Sequence, residues 1–163
     1  MGGHLQEEVD GLVRDAQEGN LGAFGRIYEL HFEQVYRYMM ARADDDAEAE
    51  DMTQELFLKV MASLKSYRFR GPPFAAWLFR IAHNLAVDRA RRRRTAGGSV
   101  PLEEATFLPS GTNVEEEALR SLDHQEVRGA LERVTELQRQ VLLLRFLGGL
   151  SLEEAATAMG RNQ

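Results

Sequence analysis

Eight arginines, at positions 68, 70, 80, 89, 91, 92, 93 and 94, fall between residues 66 and 94 against a single acid, Asp88. That stretch therefore carries +7 in a chain whose total is −6, leaving −13 for everything else. Charge segregated in this way points to a polyanion, and phosphate backbones are the one that arginine most often reads. Tyr67, Phe69, Phe74, Phe79 and the only tryptophan, Trp77, interleave with the arginines. Rings stack on open base faces while guanidinium groups hold phosphates, so the mixture suits unstacked bases better than an intact duplex. A solvated helix end accounts equally well for residues 91–94 taken alone. The adjoining Trp-bearing segment is what favours binding.

A second set of candidates has the opposite sign. Asp51, Gln54, Glu55 and Leu58 recur at i, i+3, i+4 and i+7, so a helix would carry them on one face. Carboxylates alone read as a solvated face. Leu58 does not fit that reading, because it sets an apolar side chain among the charges, with Phe57 and Met61 flanking it. Acids around apolar contacts make a protein-docking face, where charge steers a basic partner and buried area holds it.

Other chemistry is scarce. No nucleophile–base pair, phosphate-binding loop or metal cluster is recognisable, so neither an enzyme nor a cofactor is expected. The chain has no cysteine, which excludes disulfides and thiolate-bound zinc, and its four histidines lack metal-ligand spacing. No apolar run is long enough to span a bilayer and no leader pattern is present, so the expectation is a cytoplasmic protein without membrane insertion.

The elements that must position these residues repeat at helical period. Val9, Leu12, Val13 and Ala16 form a short stripe ending at Gly19. A second helix over 21–42 places Phe24, Ile27, Tyr28, Phe32, Val35, Tyr36 and Met39 on its core side. Asp44, Asp45 and Asp46 supply a cap and favourable charge for a third, over 46–64, whose core face is Ala49, Met52, Thr53, Leu56, Val60 and Leu64. A proline-stiffened loop, 66–73, precedes a fourth helix over 74–94 with a core stripe of Phe74, Leu78, Ile81 and Leu85. Beside that stripe run Trp77, Asn84, Asp88 and Arg91, with Arg80 at the edge. The Asn84 amide offers a donor and an acceptor side by side, which can read a base edge or equally make a local helix-surface hydrogen bond. Trp77 serves core packing as readily as contact.

Composition changes after Arg94. Residues 95–114 are rich in Gly, Pro, Ser and Thr without sustained period, as in a flexible linker. A helix over 115–133 is expected next, then one over 135–147 that is apolar nearly all round (Leu137, Val141, Leu142, Leu143, Leu144, Phe146) and so expected to be buried. Thr135 with Gln138 and Ser151 with Glu154 are capping boxes. Residues 151–160, with small Ala156 and a turn at Gly160, resemble the first half of a helix-turn-helix. The fold class expected is all-α, as two small helical domains, 1–94 and 115–163, left uncoupled by the linker.

These segments, in this order, resemble the extracytoplasmic-function (group IV) sigma factors of bacterial RNA polymerase. Residues 46–60 are similar to the region 2 helix that docks on polymerase, 74–94 to the promoter-melting and −10 segments, and 137–156 to region 4. The resemblance implies that Asp51, Gln54, Glu55, Phe57 and Leu58 bind core polymerase, at the β′ clamp helices, with the β subunit as a further contact. It implies that Tyr67, Arg68, Arg70, Phe74, Trp77, Arg80, Asn84, Asp88, Arg91 and Arg92 serve the −10 element. Loop 66–73 with Asn84 would capture a flipped base of the non-template strand, walled or supported by Phe74 and Trp77. Promoter DNA and an anti-sigma factor are the other partners implied. The −35-reading helix would begin after Asn162, so the expectation is a shortened chain that reads duplex weakly. A stand-alone helix-turn-helix regulator is the alternative, distinguished by needing no polymerase.

Overall fold

A computed structural model of the chain describes residues 2–70, 72–95 and 134–160. Among these residues the elements are all helical: α1 (Gly2–Gln17), α2 (Leu21–Arg42), α3 (Asp46–Ser63), a 3-10 turn (Leu64–Ser66), α4 (Phe74–Thr95), α5 (Glu136–Phe146) and α6 (Leu152–Ala158). The helix expected over 115–133 and nearly all of the expected linker lie outside the described residues.

Four helices, α2, α3, α5 and α6, start where a side chain satisfies one of the first free amides. Asn20 accepts from Ala23 N to open α2, after Gly19 has turned the chain at φ 99°. Asp45 accepts from Glu48 N at 2.7 Å to open α3, and Asp46 and Glu48 add negative charge to its first turn. Both capping boxes form, Thr135 with Gln138 on α5 and Ser151 with Glu154 on α6. Gly160 takes the left-handed turn expected of it, at φ 73°.

The core stripes of α3 and α4 lie inside, with Ile81 partly exposed. On α2 the buried side is instead Phe24, Ile27, His31, Val35, Tyr38 and Met39, while Tyr28 and Phe32 sit outside at the edge of the stripe. α4 also buries a second face, Phe79, Ala82, His83 and Ala86 at i, i+3, i+4 and i+7, turned away from Trp77 and Asn84. Phe79 meets Tyr38 edge-on at 5.6 Å and lies against Gly148, in the turn between α5 and α6.

Two expectations are corrected here. The halves are not uncoupled: α6 packs on α4, α5 on α2, and Leu143, Leu144, Leu150, Ala155 and Ala158 join the same core as the first four helices. Nor is α5 buried all round. Leu143 and Leu144 are inside, Val141 and Leu142 are half-buried, and Leu137 and Phe146 are exposed, Phe146 by 82%. α5 lies at the margin of the molecule, where α2 and α6 cover only part of its circumference.

Candidate protein-docking and nucleic-acid interfaces

The face of α3 expected to dock divides in two. Asp51 is exposed and Glu55 half-buried, and Arg89 of α4 reaches both, its Nη2 lying 2.9 Å from Asp51 Oδ2 and 2.8 Å from Glu55 Oε2. These hydrogen bonds, that to Glu55 first, raise the pKa of the guanidinium further. Part of the acidic rim is therefore balanced from within. The other part faces α2: Leu58 and Met61 are exposed and, with Gln54, Phe57, Phe24 and Tyr28, line an open apolar pocket. Phe57 is buried in its floor, where Tyr28 meets it edge-on at 4.6 Å, so it cannot stand on the rim as a direct contact. Tyr28, Phe32 and Tyr36 continue the pocket as an aromatic ridge along α2, with centroid spacings of 5.2 and 5.8 Å. The sequence reading assigned Phe24 and these three rings to core alone. The available signal was the breadth of the α2 stripe, wider than one packed face can bury.

On α4 the strip opposite the second buried face stays open. Arg80, Asn84, Asp88, Arg91 and Arg92 are exposed and Trp77 is half-buried. The loop before it exposes Arg68, Phe69, Arg70 and Pro72, and Pro73 O accepts from Ala76 N and Trp77 N to begin the helix. Tyr67, expected among the residues that serve the −10 element, is corrected: it is buried, and so is Phe74, which was expected both in the core stripe and as a wall or support of the pocket. Tyr67 centres an aromatic cluster, 5.0 Å from Phe69, 5.4 Å from Phe74 and 5.2 Å from Trp77. They support the exposed rings and do not offer faces of their own.

The arginine run also divides. Arg93 turns back into the protein, its Nη1 2.6 Å from Asp44 and 3.3 Å from Glu48, its Nη2 donating to Arg42 O at 3.1 Å. Burial pushes the Glu48 carboxyl up against the pull of Arg93. Arg89 and Arg93, four apart, thus tie the end of α4 to α3 and its approach, while Arg91, Arg92 and Arg94 face water. Buried on the second face, His83 is lowered to about 4 by desolvation and by the charge of Arg42. Among the described residues no group of three or more His, Cys, Asp or Glu gathers as metal ligands would. No described helix is long and apolar enough to cross a membrane.

The helical body thus carries one apolar, acid-edged face and one arginine-and-ring face. The family models for sigma-70 region 2 and sigma-70 region 4 match residues 27–96 and 124–163. The chain is 36% identical over 157 residues to the ECF RNA polymerase sigma factor BldN of Streptomyces coelicolor, covering 93% of this chain and 58% of that one. With SigD of Mycobacterium tuberculosis it shares 33% over 160 residues, covering 94% and 74%. Among solved structures, CnrH in complex with the cytosolic domain of CnrY superposes with a TM-score of 0.65 at 25% identity, over 93% of this chain and 82% of that one. The chain belongs to the ECF RNA polymerase sigma factors of the sigma-70 family.

Proposed function

We propose that this chain is a promoter-specificity subunit that docks on core polymerase and opens the −10 element without performing chemistry of its own. The α2–α3 pocket with Leu58, Gln54 and the acids Asp51 and Glu55 takes the β′ clamp helices, and β is a further contact. Loop 66–73 and the strip Trp77, Arg80, Asn84, Asp88, Arg91 and Arg92 take the displaced strand. One flipped base is held beside Asn84, and Arg68 and Arg70 stand by its phosphates. Residues 1–94 form the polymerase and −10 domain, 95–114 the linker and 115–163 the region 4 domain, and the protein works in the cytoplasm beside polymerase.

The observation that carries the reading is the asymmetry of α4: two of its faces are buried, and the third leaves Asn84 exposed beside a half-buried Trp77. An anti-sigma factor is the regulatory partner proposed, in keeping with the solved complex of CnrH with the cytosolic domain of CnrY.

Run-off transcription with core polymerase on a promoter library randomised over the −10 element tests it. A base preference is expected, and Asn84→Ala should relax it at one position, by about tenfold for a lost bidentate contact, while core binding is unchanged. Sequence-specific duplex binding without polymerase would instead favour the stand-alone regulator.

A further inference from the structure

The first helix is unused by the reading above and lies before the region 2 match, which begins at residue 27. Yet one face of it grips the loop that precedes the nucleic-acid strip. Gln17, the last residue of α1, donates from Nε2 to Leu64 O at 2.9 Å and to Tyr67 O at 3.0 Å. Leu64 O also accepts from Tyr67 N in the 3-10 turn, whereas at Tyr67 the chain has left the helix, so the side-chain amide adds a second donor to the first carbonyl and supplies one to the other. Arg14, three residues earlier and so on the same side of α1, places its guanidinium 4.5 Å from the centroid of the Phe69 ring. The grip therefore holds both ends of residues 64–69. Tyr67 then transmits it, packed 5.2 Å from Trp77 at the head of the α4 strip.

We propose that α1 is the positioning element of the base-capture loop, with Gln17 and Arg14 setting how selectively that loop reads its base. The proposal rests on the assignment of loop 66–73 and Asn84 as the base pocket. Neither residue touches the nucleic acid. Each acts by narrowing the conformations the loop samples before it binds, which lowers the ordering cost for the matching base and leaves less room for others.

The test uses the full chain with Gln17→Glu, Arg14→Ala and Arg14→Lys. Glu keeps the size of Gln17 but offers no donor to two carbonyls, and Lys keeps a cation over the Phe69 ring. Acrylamide quenching of Trp77, the only tryptophan, reports loop position without any DNA. It should rise in Gln17→Glu and Arg14→Ala and return toward the parent in Arg14→Lys. In the −10 library assay, discrimination at the base relaxed by Asn84→Ala should fall by about fivefold in Gln17→Glu, the worth of a lost hydrogen bond, with core affinity unchanged. If Asn84→Ala relaxes the base while Gln17→Glu and Arg14→Ala leave both quenching and base choice alone, α1 has no such role and the pocket stands. If quenching rises but no variant, Asn84→Ala included, alters base choice, the loop reads no base and the proposal falls with the pocket.

Discussion

Leu58 keeps 66% of its surface in water although the residues before it, Leu56 and Phe57, are buried. Its exposure gives the acidic face something apolar to bind with, since carboxylates alone in water contribute little holding energy. Leu58→Glu should therefore weaken core-polymerase binding by roughly tenfold or more, as truncated anchor residues do. Stability should move by no more than about 0.5 kcal/mol, as expected of an exposed site. Fluorescence anisotropy against core enzyme and thermal unfolding separate the two, and unchanged core affinity would remove this face from the interface. His83 is the opposite case, a polar residue that burial has silenced. Its pKa is held at about 4 against an ordinary 6.5, so the unfolded chain takes up the proton first. Its stabilising contribution is complete above about 6.5 and is lost as pH falls toward 4, on the order of 3 kcal/mol in all for a shift of that size. His31, also lowered by burial, adds in the same direction, whereas Glu48, raised by burial, gains stability as pH falls. Urea unfolding at pH 7 and pH 5 should show the loss, and His83→Gln should reduce it. A His83→Gln protein that loses as much stability as the parent would assign the loss elsewhere.

At the scale of the helix, what could be foreseen is what depends on near neighbours. The bounds of α2 and α3, both capping boxes and the stripes of α3 and α4 follow from spacings of a few residues, and the structure has them. The partition of the arginine run does not. Arg89 and Arg93 look like Arg91 and Arg92 in sequence, and only the approach of α3 and of Asp44 decides that the first two are held internally. The same holds for Tyr67 and Phe74, which belong by type to a stacking platform and by position to the packing beneath it. The division predicts two kinds of arginine. Arg91→Ala or Arg92→Ala should each reduce by about one the slope of log affinity against log salt for holoenzyme on forked promoter DNA. Arg89→Ala and Arg93→Ala should leave that slope alone and instead lower stability by about 1 kcal/mol, since these pairs are partly solvated. An equal fall in slope for Arg93→Ala would mean that it leaves Asp44 to meet DNA.

Over the whole molecule, the unforeseen feature is that the two halves close on each other. A stretch rich in glycine and proline reads as a spacer, and nothing local records what its two ends do. α6 packs on α4, and the buried residues of the two helices include small ones, Ala82 and Ala86 on α4 and Ala155 and Ala158 on α6, while Gly148 in the turn between α5 and α6 lies against Phe79. Such residues carry no strong sequence signal, yet they let helices approach closely. Gly148 is the most exacting of them. A Cβ built there would lie 2.5 Å from Leu144 O and 3.3 Å from the Phe79 ring, so any side chain must shift the backbone where α5 ends and press on the Phe79 ring of α4. Gly148→Val should therefore cost about 1–3 kcal/mol, the usual penalty for overpacking, and should loosen the C-terminal helices from the first four. Thermal unfolding would report the cost, and small-angle scattering a larger radius of gyration. The open strip of α4 lies on the other side of that helix, so binding of single-stranded −10 DNA by the polymerase-bound variant should survive. A Gly148→Val protein as compact and as stable as the parent would show that the closed arrangement does not depend on this turn.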